Sequence, residues 1–448
     1  MQSFIFLWVK TLQQNYWFWP SAMSLSALVL GVVLPYLDTQ LGAGWIEAVG
    51  FVRPTEVAGA RAILTTLAGA TLGVAGVAFS VTIVAVSFAS ANYGPRLIGN
   101  FMADKHNQVV LGIFVATFVY CITVLSTVHA GTEFGGSTLD AFVPQLSVFF
   151  ALLLMLAAVG ALIAYIHHIP ESINIMNLTA DIGDKLNRAI GRMMDDADDR
   201  GDKDGAPRDV EAWSGAQPAD HTHVVRAATA GFLQRVDVPS LIAFAAENRT
   251  QIALHRAPGD FLVEDEIILS ARATGLDADG FADKMRDCYT QGDNRTDMQD
   301  VLFLSDQLVE VLGRALSPGV NDPHTAMLCL DWLRVGLVGF ARRAPTQPAC
   351  QGDRVLYRRV TFEDMLDRSF DRMRQYIATD RNATLHALAV LSDVAAAGCR
   401  AAMVDACGRQ MQLLGRSAHE RLAESAAREE VEAALKRAVQ DIAMSKLA

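Results

Sequence analysis

The sequence predicts an α-helical membrane protein with four transmembrane helices, followed by a cytoplasmic α+β region: a small β-rich module, then a helical domain. Three observations carry this. Of the 448 residues, 51% are hydrophobic, and the excess sits in the first 170. The first 166 residues hold only five Lys/Arg and six Asp/Glu, in a chain of net charge -11. From about residue 223 the pattern shifts to short alternating runs, then to helical periods with caps and breaks.

The membrane domain, 1–170, has spans at about 17–36, 62–90, 109–128 and 143–166. The first opens on Trp17, Phe18 and Trp19, an interfacial aromatic anchor. Its lead from Lys10 is unlike a signal peptide's basic start, so a retained helix is expected. The second has no charge between Arg61 and Arg96, long enough to cross a bilayer. Thr66, Gly69, Gly73, Gly76, Ser80 and Ser87 fall on one face of it, with Ile83 the only bulky member of the row. Lipid does not require such a stripe. Close helix packing does, through Gly69-x-x-x-Gly73, and so does the lining of a water path. Gly94 and Pro95 end this helix, and residues 97–107 read as a short interfacial helix before the third span. The fourth span ends at His167-His168, which reads as an interfacial pair rather than a set of metal ligands.

Residues 171–222 read as a connecting helix and an acidic loop. The Asp-x-x-Asp runs near 195–204 lack the order and closing Glu of a calcium loop. The β-rich module is 223–275. Its Gly-Asp-Phe-x-Val turn resembles half of a biotinyl-type barrel, but no lysine lies between Lys203 and Lys284 to carry a cofactor. The helical domain is 281–448, with helices expected at 296–316, 322–343, 361–378, 382–397 and 401–447. Asp322 is the expected N-cap and Pro323 the first helical residue of the second.

The soluble part is acidic, which argues against nucleic acid as a partner. Six cysteines form no CxxC pair and fit reduced thiols in a cytoplasm. No metal, cofactor or catalytic motif is present: no P-loop, GxGxxG, HExxH or nucleophile elbow. The densest polar patch, a possible ligand site, is Arg295, Gln299, Asp300, Arg314, Ser317, Asn321, Asp322 and Thr325. Turn and cap chemistry explains these residue types without any substrate.

The run SFASANYGPRLIGNFMADKHNQVVLGIFVATFVY, the Gly-Asp-Phe-x-Val turn and NRTDMQDVLFLSDQLVEVLGRALSPGVNDPHTA resemble the bacterial predicted membrane proteins called domain of unknown function 2254. The run from Arg314 to Ala326 is the most specific part. The resemblance implies four spans in an inner membrane and a cytoplasmic domain, and it assigns no functional residues.

The function expected is an oligomeric inner-membrane channel or channel-like pore, lined by the second span and regulated by the cytoplasmic domain. A membrane-anchored ligand sensor or enzyme working at the Arg295–Thr325 patch is the alternative, and a structural assembly protein is another. Both termini are expected in the cytoplasm. The partners expected are the bilayer, further copies of the chain and an unknown cytoplasmic ligand. A coupled transporter is disfavoured, since the predicted spans carry no carboxylate, Lys or Arg.

Overall fold

The computed structural model describes residues 16–41, 55–94, 104–130, 132–134, 137–139, 141–198, 222–272, 278–343, 355–398 and 400–445. The chain divides into two units, residues 1–174 and 175–448.

The first unit holds helices α1 (Phe18–Leu41), α2 (Val57–Tyr93) and α3 (Lys105–Leu125), a hairpin of β1 (Thr132–Phe134) and β2 (Ser137–Leu139), and α4 (Gln145–Ser172). All four helices are long and apolar enough to cross a membrane. At 37 residues α2 is about 55 Å long, well beyond a bilayer core of about 30 Å.

Span one runs past its predicted end, so Asp38 lies in the last turn of α1 rather than in a loop, and it is buried. A span does therefore carry a carboxylate. Pro144, the residue before α4, offers that helix no side-chain cap. Asp38 supplies the cap from α1: Leu146 N–H donates to Oδ1 at 2.8 Å, and Ser147 N–H and hydroxyl donate to Oδ2 at 3.0 and 2.8 Å. A carboxylate there also complements the helix dipole.

Helix α3 starts at Lys105, before its predicted start, because Asp104 caps it by accepting the N–H of His106 at 2.9 Å. Residues 105–107 therefore belong to α3 and not to a separate interfacial helix; 97–103 lie outside the described residues. The close approach of α1 to α3 runs through Gly31 and Gly112. A Cβ on Gly31 would lie 2.8 Å from Thr123 Cβ, and one on Gly112 2.6 Å from Met23 Sδ.

The second unit opens with α5 (Ile175–Asp198), which buries Leu178, Ile182, Leu186 and Ile190, one helical turn apart. Then come β3 (Thr222–Arg226), β4 (Gly231–Val236), α6 (Val238–Glu247), β5 (Gln251–Leu254), β6 (Phe261–Leu262), β7 (Ile267–Arg272), α7 (Ala278–Arg286) and β8 (Tyr289–Gly292). Helices α8 (Val301–Ala315) and α9 (Pro323–Arg343), strand β9 (Val355–Tyr357), and helices α10 (Phe362–Ile377), α11 (Arg381–Ala397), α12 (Ala401–Arg421) and α13 (Ser425–Ser445) complete it.

The sheets are ordered β3-β7-β5-β9 and β6-β4-β8. They share a core of Val225, Leu233, Ile252, Leu262, Ile268 and Phe281. Strand β9 pairs in parallel with β5, and β8 pairs with β4. The region after Phe281 is thus not wholly helical: it returns two strands to the β-rich module. Local pattern could not show this, because a three-residue strand is defined by its partner. The helix expected over 401–447 is two helices, parted at 422–424. The helix expected from Thr296 starts at Val301, with Asp300 as its cap.

Candidate functional site

In the first unit the candidate site is the row predicted on α2. Its inner face is a different row from the one that the glycines mark: Ala60, Leu64, Ala68, Thr71, Ala75, Ala78, Thr82, Ala85 and Ala89 are all buried. Small side chains every three or four residues let α3 and α4 lie close against it. Thr71 donates to Leu67 O at 2.7 Å and Thr82 to Ala78 O at 3.0 Å, so these hydroxyls are satisfied within their own helix.

Thr66, Gly69, Gly73, Gly76, Ser80, Ile83 and Ser87 are all exposed. A Cβ on Gly69, Gly73 or Gly76 would meet nothing within 4 Å. Among the described residues the row is thus exposed rather than packed against α1, α3 or α4. The glycines that mediate close packing are Gly31 and Gly112.

Ile83 follows Thr82, which pairs with Tyr165 of α4 at 2.9 Å. Asp104, His106 and His168 gather at the start of α3 and the end of α4. His168 Nε2 lies 2.5 Å from Asp104 Oδ2, and the His106 and His168 rings are 4.3 Å apart. His167 points elsewhere, 3.4 Å from Glu171 and largely exposed.

The polar patch predicted in the second unit separates into two places. Arg295, Gln299 and Asp300 precede α8, while Arg314, in its last turn, and Ser317 to Thr325 lie at its far end, about 20 Å along the helix. Arg295 and Gln299 do not share a helical face, since neither is helical. Gln299 clamps β4: its amide accepts the N–H of Val236 at 2.9 Å and donates to Val236 O at 3.0 Å.

At the far end Arg314 lies 4.0 Å from Glu310. Ser317 donates to Arg314 O at 2.6 Å. Asn321 turns the chain with φ of 49°. Asp322 caps α9, accepting from Thr325 N–H at 3.1 Å and its hydroxyl at 2.6 Å. The Thr325 hydroxyl bond, with the backbone donors there, holds the Asp322 carboxyl below its ordinary range. This end is a cap and turn.

The near end is a charge cluster. Arg295 donates to Asp300 Oδ2 from Nε and Nη2, at 2.8 and 2.6 Å, and to Asp306 Oδ2 from Nη1 at 2.8 Å. The Asp306 side chain is 1% exposed. Arg368 donates to it at 3.1 and 2.8 Å, and Arg372 at 2.6 Å. Burial pushes its carboxyl up, but the hydrogen bonds and charges of Arg368, Arg295 and Arg372 outweigh that and hold it below the ordinary range. The signals for these residues were an Asp inside the apolar α8 run and two arginines four apart on α10.

Four apolar spans ahead of a large polar unit define a polytopic membrane protein. The chain belongs to the family of predicted membrane proteins called domain of unknown function 2254, whose family model matches residues 13–393. That bears out the resemblance carried by the Arg314–Ala326 run and the span-two exit. The chain is similar to an uncharacterized protein of Mycobacterium tuberculosis (strain CDC 1551 / Oshkosh), 31% identical over 272 residues, covering 60% of this chain and 50% of that one. A Mycobacterium bovis relative is 30% identical over 272 residues, with the same coverage. The chain thus spans about half the length of the curated relatives it matches. No solved structure matches it.

Proposed function

We propose that the protein is an oligomeric channel or channel-like pore of the bacterial inner membrane. The outer face of α2 meets other copies around an axis, and the second unit regulates it from the cytoplasm, where both termini lie. One observation carries the reading: the small and hydroxylated row of α2 is wholly outward in a single chain, while a separate Ala/Thr row does the packing. Lipid gains nothing from a smooth stripe, whereas a neighbouring helix or a water path does. Ile83 supplies one apolar ring near the Asp104–His168 end of the bundle, suited to closing a pore by dewetting.

Single cysteines at 73, 76 and 80, introduced into a variant without the natural thiols, should crosslink chain to chain in membranes. Cysteine at 78, on the buried face, should not. Crosslinking at none of the three row positions removes the reading. Reporter fusions at residue 135 should read periplasmic and at 448 cytoplasmic. A structural assembly through the same row is the second reading, and conductance separates the two.

A further inference from the structure

We propose that Arg368 and Arg372 form a binding site for a phosphate-bearing soluble small molecule on the outer face of α10. The inference is independent of the pore.

The two arginines are one turn apart on the same helical face, where like charges repel. Asp306 holds both from behind, with each of its oxygens accepting two N–H bonds: Oδ1 from Arg368 Nε and Arg372 Nη1, Oδ2 from Arg368 Nη2 and Arg295 Nη1. Arg295 has its own carboxylate in Asp300. Three guanidinium groups thus face two carboxylates, and one positive charge is left over.

That charge lies at the surface. The side chains of Arg368 and Arg372 are 31% and 48% exposed, against 14% for Arg295. Among the described residues, Nη1 of Arg368 and Nε and Nη2 of Arg372 donate to nothing. Of the carboxylates on α10, Asp364 pairs with Arg358 at 2.7 Å, Asp371 with Arg374 at 2.9 Å, and Asp367 accepts from Gln410 at 2.8 Å.

Planar guanidinium groups fixed from behind and open in front match the oxygens of a phosphate, and little side-chain freedom remains to be lost on binding. The competing anion is Asp260, in the turn before β6. Its charge reaches Arg368 without a direct ion pair. A phosphate at this site would work against Asp260, and so against the turn of the β-rich module.

The test is calorimetric titration of the full chain, in zwitterionic nanodiscs at constant ionic strength, with inorganic pyrophosphate as probe. Saturable binding is expected, at least tenfold weaker in R372Q and tighter in D260N. It should be unchanged in R416Q, a change to an exposed arginine of α12. Arg372 is the outermost donor, and Asp306 keeps Arg368 and Arg295 without it, so R372Q should melt close to wild type. No saturable binding to the folded wild type overturns the site, as does equal binding by R372Q. Loss of pyrophosphate binding when anionic lipid is added assigns the site to lipid phosphate and overturns the soluble ligand.

Discussion

Gly259 and Asp300 touch: a Cβ on Gly259 would lie 2.0 Å from Asp300 Oδ2. Gly259 has φ of 97°, and its N–H donates to Leu233 O at 2.7 Å. Asp300 caps α8 by accepting the N–H of Phe303 at 3.0 Å. One contact thus joins the turn of the β-rich module to the first turn of the helix bearing Asp306.

Gly259→Ala should therefore destabilise the second unit by at least about 1–3 kcal/mol, from backbone strain alone. Displacing Asp300 from Arg295 and the α8 cap adds to that. Gly319→Ala is the comparison: nothing lies within 4 Å of its Cβ position, and a change there should stay within about 0.5 kcal/mol. Chemical denaturation of both variants measures the difference; equal stability would mean that the turn does not seat on Asp300.

Asp306 makes the second unit acid-sensitive. Its folded carboxyl sits below the ordinary range, so its contribution is complete above the unfolded value of about 3.9 and is lost as pH falls through the lower folded value. Asp306→Asn should cost about 3–5 kcal/mol at pH 7 by leaving its arginines around a neutral amide. Its deficit relative to wild type should shrink as pH falls below about 4. A deficit independent of pH would show that the carboxylate's charge is not what binds the arginines.

Two kinds of glycine should behave differently in the first unit. Gly31→Leu and Gly112→Leu drive side chains into Thr123 and Met23, and should lower thermal stability. Gly73→Leu meets open space and should leave the monomer folded, with the oligomer broken. Thermal melts and size-exclusion chromatography in detergent separate the outcomes, and a destabilised Gly73→Leu monomer would contradict the outward placement.

Ile83→Ser should raise ion leak through protein reconstituted in liposomes, by wetting the one apolar ring of the row. Leu72→Ser, equally exposed but off the row, should not. Tight vesicles with Ile83→Ser, alongside chain-to-chain crosslinks at 73, 76 and 80, would leave an assembly without a pore.

Much of the architecture was legible in the residues. Span existence follows from uncharged length, and the Asp322 cap with Pro323 follows from local turn chemistry. The periodicity also grouped Thr66 to Ser87 on one face, as they are in the helix. Which face of α2 turns inward was not legible, because its Ala/Thr row has the same spacing and equally small side chains. Only packing against α3 and α4 decides between them.

The charge cluster shows the same boundary. Asp300 and Arg295 are five residues apart and announced themselves as a patch. Asp306 and Arg368 are 62 residues apart, and their pairing exists only because α8 and α10 pack together. The sequence by itself determined four spans, the Asp322 cap and the grouping of Thr66 to Ser87 on one face of α2. Tertiary structure decided which row is buried, which arginines meet Asp306 and where β9 pairs, since each depends on partners distant in the chain.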